Sequence, residues 1–157
     1  WWFYPRPMPV WTRVRYLNAT VGPIPRRDFV LQFDSASADR MDVDDADYEG
    51  NFILHGGSDA SYGFLDDCWF LGRVERTVEA QDISEVAYQW QRCKTNSSNA
   101  VIPKARTNHG SAFFFDTKSF FIFGGFVAWE AGSFFATQEM WSLTGYHTNA
   151  VWTEVMS

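Results

Sequence analysis

This chain of 157 residues lacks helical periodicity, since no stretch keeps apolar residues at a sustained 3.6-residue spacing. Helices are therefore not expected to form its framework. Long apolar runs are missing too: the longest, residues 120–129, is broken by Gly124-Gly125 and falls far short of the roughly 18 residues that span a bilayer. Positive charge is scarce, with 13 Lys and Arg against 19 Asp and Glu and a net charge of −6, which argues against a general electrostatic role on nucleic acid. The basic pairs Arg13/Arg15 and Arg26/Arg27 are too short to change that. Histidine is limited to His55, His109 and His147, scattered without ligand spacing, and no nucleophile lies in a recognisable catalytic setting. No catalytic residue, metal site or cofactor is expected.

Aromatic residues make up 18% of the chain and hydrophobic residues 46%, enough for a substantial core. They occur in short blocks such as Phe29-Val30-Leu31-Gln32-Phe33, Ala112-Phe113-Phe114-Phe115 and Phe120-Phe121-Ile122-Phe123. Runs of four or five β-branched and aromatic residues bounded by turn residues predict strands. Because these runs do not alternate cleanly between apolar and polar, both faces of the sheets are expected to be buried. Asp116-Thr117-Lys118 and Glu49-Gly50-Asn51 are predicted hairpin turns.

A glycine pair ends an aromatic strand twice, in Phe52-Ile53-Leu54-His55-Gly56-Gly57 and in Phe120-Phe121-Ile122-Phe123-Gly124-Gly125. Around each pair the same landmarks recur in the same order. Arg27 precedes Gly56-Gly57, Trp69 follows in Asp67-Cys68-Trp69-Phe70-Leu71, and then comes Trp90. Arg106 and His109 precede Gly124-Gly125, Trp141 follows in Glu139-Met140-Trp141-Ser142-Leu143, and then comes Trp152. Trp11 stands ahead of the first unit as Trp90 stands ahead of the second.

This order resembles the kelch repeat, whose first strand carries Arg or His, whose second ends in Gly-Gly and whose third and fourth carry an aromatic and a Trp. The match runs from about residue 11 to residue 155, and the first unit has Phe29 or a neighbour where the second has His109. The resemblance implies an all-β chain, a partial kelch-type β-propeller with about two four-stranded antiparallel blades plus one extra strand. One blade covers about residues 26–93 and the other about 106–155, with residues 1–10 a Pro- and aromatic-rich extended arm. It also implies that His109 hydrogen-bonds backbone. Closed propellers have about four to eight blades, so the chain is expected to be a piece of a longer one, or to have blades supplied by copies or other proteins.

Residues 34–49 form an acidic insertion, expected to be solvated, in which Asp42, Asp44, Asp45, Asp47 and Glu49 are candidate docking residues for a basic partner. Asp45-Ala46-Asp47-Tyr48-Glu49-Gly50 copies the opening of a calcium loop, but its twelfth position is Gly56 instead of a bidentate Glu. Cys68 and Cys93 fall on predicted third and fourth strands. If Leu71 pairs with Trp90, these two cysteines face each other, as a disulfide or as buried thiols. Asn18-Ala19-Thr20 and Asn96-Ser97-Ser98 are glycosylation sequons.

Three functional classes follow. The first is a non-enzymatic protein-interaction or scaffolding module, with no membrane span and no nucleic-acid partner, docking through residues 34–49 and a loop over residues 73–89. The second is an extracellular or lumenal glycoprotein or carbohydrate-binding propeller, using aromatics such as Tyr62 and Trp129 to stack on sugars. The third is part of a kelch-type enzyme. The compartment is left open.

Overall fold

The computed structural model describes residues 21–34, 51–61, 63–78, 83–95, 101–128 and 133–157, with the backbone alone for residues 73–78 and 83–87. Every regular element among them is a strand. The first sheet is an antiparallel meander of β1 (Val30–Asp34), β2 (Asn51–His55), β3 (Cys68–Val78) and β4 (Ile83–Arg92). The second joins β6 (Gly110–Phe114), β7 (Ser119–Phe123), β10 (Met140–Thr144) and β11 (Val151–Met156) in the same spatial sequence. Between them, β5 (Arg106–Thr107), β8 (Phe126–Ala128) and β9 (Phe134–Ala136) make a small third sheet that the sequence reading did not foresee. The chain is all-β, with two four-stranded antiparallel sheets.

Local chemistry accounts for the hairpins. The β6–β7 connection turns at residues 115–118, where the Lys118 N–H donates to the Phe115 carbonyl at 3.2 Å and Lys118 takes a φ of 49°. In the first sheet Leu71 is paired with Trp90, and the Cys93 N–H donates to the Cys68 carbonyl at 2.9 Å, so the two cysteines do lie opposite one another. Of residues 73–89, expected as a docking loop, residues 73–78 and 83–89 instead continue β3 and β4 as a paired ladder from Arg73↔Tyr88 to Val78↔Ile83, and residues 79–82 lie outside the described residues. Their mixed charged and β-branched composition fits a two-stranded ribbon as well as a loop.

The glycine pairs turn the chain out of the second strand of each sheet. All four have positive φ, from 64° at Gly56 to 97° at Gly57. A Cβ on Gly57 would lie 2.6 Å from the Arg27 carbonyl oxygen, and one on Gly125 would lie 2.6 Å from that of Thr107. Only glycine meets both demands.

The core lies between the two large sheets. Val30, Ile53 and Phe70 from the first face Phe120, Ile122 and Leu143 from the second, with Trp141 closing one side. Polar ties cross the same boundary: the Gln32 amide donates to the Ser111 carbonyl at 3.2 Å, and the Tyr146 hydroxyl donates to Asp34 Oδ2. Asp34 is only 5% exposed. The expectation of a solvated insertion beginning at residue 34 is therefore corrected at that residue, which ends β1 inside the interface.

The expectation that both faces of the sheets are buried is also corrected. Alternation along β1 buries Val30 and Asp34 but leaves Leu31 and Phe33 exposed, and in the second sheet Phe114 and Phe123 are exposed. Each sheet has one face in the shared core and one apolar face outward.

Candidate interaction surface

The second unit brings its landmark residues into one clasp. Arg106, fully buried, donates from Nη2 to Glu139 Oε2 at 2.6 Å and from Nη1 to the Gly124 carbonyl at 3.2 Å. The Trp141 indole N–H reaches the same Glu139 oxygen at 3.1 Å. One arginine thus ties the strand before the sheet, the glycine corner and the third strand together. A buried guanidinium is tolerated because its donors are met by a carboxylate and by carbonyls.

The first unit repeats the clasp with Arg26 in place of Arg106 and an Asp in place of the Glu. Arg26 forms a bidentate pair with Asp67 at 2.5 and 2.8 Å, donates to the Gly56 carbonyl at 3.0 Å, and shares Asp67 with the Trp69 indole N–H at 2.6 Å. The sequence reading placed Arg27 in this role and is corrected by one residue. Arg27 matches Thr107 instead: the carbonyls of both crowd the second glycine of their unit. Asp28 and Asn108 then correspond, with φ of 56° and 54°. Phe29 corresponds to His109, since each lies against that second glycine. Two adjacent arginines are indistinguishable until the position of Asp67 is known. Arg26 holds the Asp67 carboxyl below the usual range although burial pushes the other way, and Arg106 does the same for Glu139.

The histidines meet. His55 Nδ1 lies 3.1 Å from His109 Nε2, with His55 completely buried and His109 6% exposed. The expectation that His109 hydrogen-bonds backbone is corrected, as its ring pairs with another ring and its Nδ1 has no partner among the described residues. Burial, reinforced for His55 by His109 and for both by Arg106, lowers both pKa values, that of His109 to about 4. The two rings are held neutral. No group of three or more His, Cys, Asp or Glu among the described residues is placed to hold a metal ion. His147 stands apart, stacked on Tyr146 at 3.7 Å and half exposed.

Cys68 and Cys93 are free thiols with sulfurs 2.7 Å apart. Burial, then the bond to Cys93, pushes the Cys68 thiol well above its usual pKa. This pair is part of the core.

The surfaces open to a partner lie elsewhere. A groove of about 420 Å³ beside β4 is lined by Trp69, Trp90, Arg92, Lys94 and His147. It joins aromatic walls to cationic and amide groups. The outward face of the first sheet exposes Leu31, Phe33 and Phe52, and that of the second exposes Phe114, Phe123 and Val151. Of the binding candidates read from the sequence, Asp42, Asp44, Asp45, Asp47, Glu49, Tyr62 and Trp129 all lie outside the described residues, as do Asn18, Asn96, Trp11 and the arm over residues 1–10. Trp152 packs against the core on β11, 5.2 Å from the His55 ring.

No protein-family model matches the chain, and no curated protein matches its sequence. Among the described residues no helix is long and apolar enough to cross a membrane.

Proposed function

We propose that this chain is a two-blade segment of a kelch-type β-propeller and works as a non-enzymatic protein-interaction module within a larger assembly. The observation that carries this reading is the pair of outward apolar faces, where Leu31 is 46% exposed, Phe114 54% and Phe123 45%. Contiguous apolar surface of this kind marks protein contacts, because leaving it in water costs about 25 cal/mol for each Å². The repeated Arg–carboxylate–Trp clasp supports the kelch assignment: it gives the family's landmark residues a common mechanical purpose in both units. The groove beside Trp90 adds a second place for a partner segment to dock, with Arg92 and Lys94 favouring an acidic one.

A photo-crosslinking amino acid introduced at Phe52, at Phe123 and, as a control, at the exposed hairpin residue Asp116 tests the reading in the native cell. Discrete protein crosslinks from the two face positions and none from Asp116 are expected. Absence of any crosslinked protein from both faces would overturn it.

A further inference from the structure

The two outward faces are related to the buried interface by the internal repeat. The glycine corners and ladder registers set Phe33 of the first sheet against Phe113 of the second, Phe52 against Phe120, Trp69 against Trp141, Leu71 against Leu143 and Trp90 against Trp152. In the second sheet those positions face the core, while in the first they lie on the side away from it, with Phe33 and Phe52 exposed and Trp69, Leu71 and Trp90 half-buried. The converse also holds. Ile53 and His55 of the first sheet lie in the interface, and their counterparts Phe121 and Phe123 lie on the outward face of the second. The two sheets are therefore stacked head to tail, and among the described residues no further sheet faces the outward copy of each half of that interface.

The backbone between the two units follows the same repeat. Three hydrogen bonds stitch the units together: Gly57 N–H to the Arg106 carbonyl at 2.9 Å, Arg106 N–H to the Leu65 carbonyl at 3.1 Å, and Asn108 N–H to the Asp28 carbonyl at 3.1 Å. The repeat places the matching groups at the far ends. By the same correspondence, the Gly125 N–H and the Thr137 and Asn108 carbonyls are the counterpart groups of the second unit, and the Arg26 N–H, Arg26 carbonyl and Asp28 N–H those of the first. Thr137 is identified by its own bond, its N–H donating to the Gly125 carbonyl at 3.0 Å as Leu65 donates to Gly57 at 2.9 Å. None of these six groups is bonded among the described residues.

We infer that the occupant of these faces is a second copy of this chain, the outward face of its first sheet stacking on the outward face of the second sheet of its neighbour. This rests on the proposed function and deepens it, naming the partner. Because one contact uses two different faces, it is heterologous and propagates until rotation closes a ring. A second copy brings the complementary aromatic row and the complementary backbone donors and acceptors in the register already used inside the molecule.

Light scattering on the purified chain between about 1 and 100 μM, a range spanning the weak affinities that small interfaces reach, supplies the first test. Self-association beyond the monomer is expected, and a monomer throughout would overturn the inference. Face variants then test the head-to-tail geometry. Phe33→Glu and Phe123→Glu should each give monomers, yet an equimolar mixture of the two should give a one-to-one heterodimer through the remaining good face of each. A second pair, Leu31→Asp with Phe114→Asp, should behave identically, so that misfolding of one variant, checked by circular dichroism, does not decide the matter. A mixture that stays monomeric with both folded pairs, or single variants that still self-associate, would overturn it. Crosslinks from Phe52 or Phe123 to a different protein, with a monomeric purified chain, would leave the interaction module standing and remove only the second copy as its partner.

Discussion

Arg106 and Arg26 set the chemistry at the residue scale, each buried against a carboxylate that also receives an indole N–H. Removing one partner of such a pair leaves a charge without compensation, so Arg106→Met is expected to destabilise the fold by about 3 kcal/mol or more. Urea unfolding measures this. An unchanged midpoint would mean that Glu139 finds another partner. The neutral histidine pair makes a second prediction. His109 titrates near 4 in the folded protein against 6.5 unfolded, and His55 is lowered in the same direction. The unfolded state binds more protons between those values, so stability is complete above about pH 6.5 and falls as the pH drops toward 4, by about 1.4 kcal/mol per unit per histidine. The lowered Asp67 and Glu139 values act in the same sense but in a lower window, below about pH 4. His109→Phe copies the Phe29 of the first unit and should flatten the slope of unfolding free energy between pH 6 and 4.5 by about one proton. An unaltered slope would remove His109 from this account.

Among the elements, β3 joins the core to the surface. Its even positions Cys68 and Phe70 face the second sheet, and its odd positions Trp69 and Leu71 face outward toward the groove and the first sheet's open face. Such alternation follows from the pleat. It predicts that Cys68, 5% exposed and with its pKa raised by burial, is alkylated on the order of 100-fold more slowly in the native protein than in urea. Iodoacetamide labelling read by peptide mass checks this. Equal rates in the two conditions would mean that the β3–β4 ladder opens locally at the Cys68–Cys93 end.

On the scale of the whole molecule, the two large sheets have one core between them. Phe70 packs edge-on against Tyr146 at 5.5 Å, and Ala150 N–H donates to the Lys94 carbonyl at 2.9 Å, so residues between β10 and β11 grip the first sheet. Neither sheet keeps a buried face without the other. Tryptophan fluorescence and far-ultraviolet circular dichroism are therefore expected to report one coincident unfolding transition. Two separated midpoints would show that the sheets are independent units.

The strands, the hairpin at Asp116 and the positive-φ glycine corners were legible in the sequence, because branched and aromatic runs, turn residues and glycine pairs act through short-range sterics. The facing of Cys68 and Cys93 was legible as well, since a ladder register follows from one pair and a period of two. What needed the tertiary structure was every choice among equivalents. Arg26 over Arg27 depends on where Asp67 comes to lie, and the meeting of His55 with His109 joins residues far apart in the chain. Asp34 is buried because Tyr146 of the other sheet reaches it. The outward exposure of Phe33 and Phe123 was likewise decided by packing. An aromatic run states that a face is apolar; what covers that face is a long-range contact, and no local pattern encodes it.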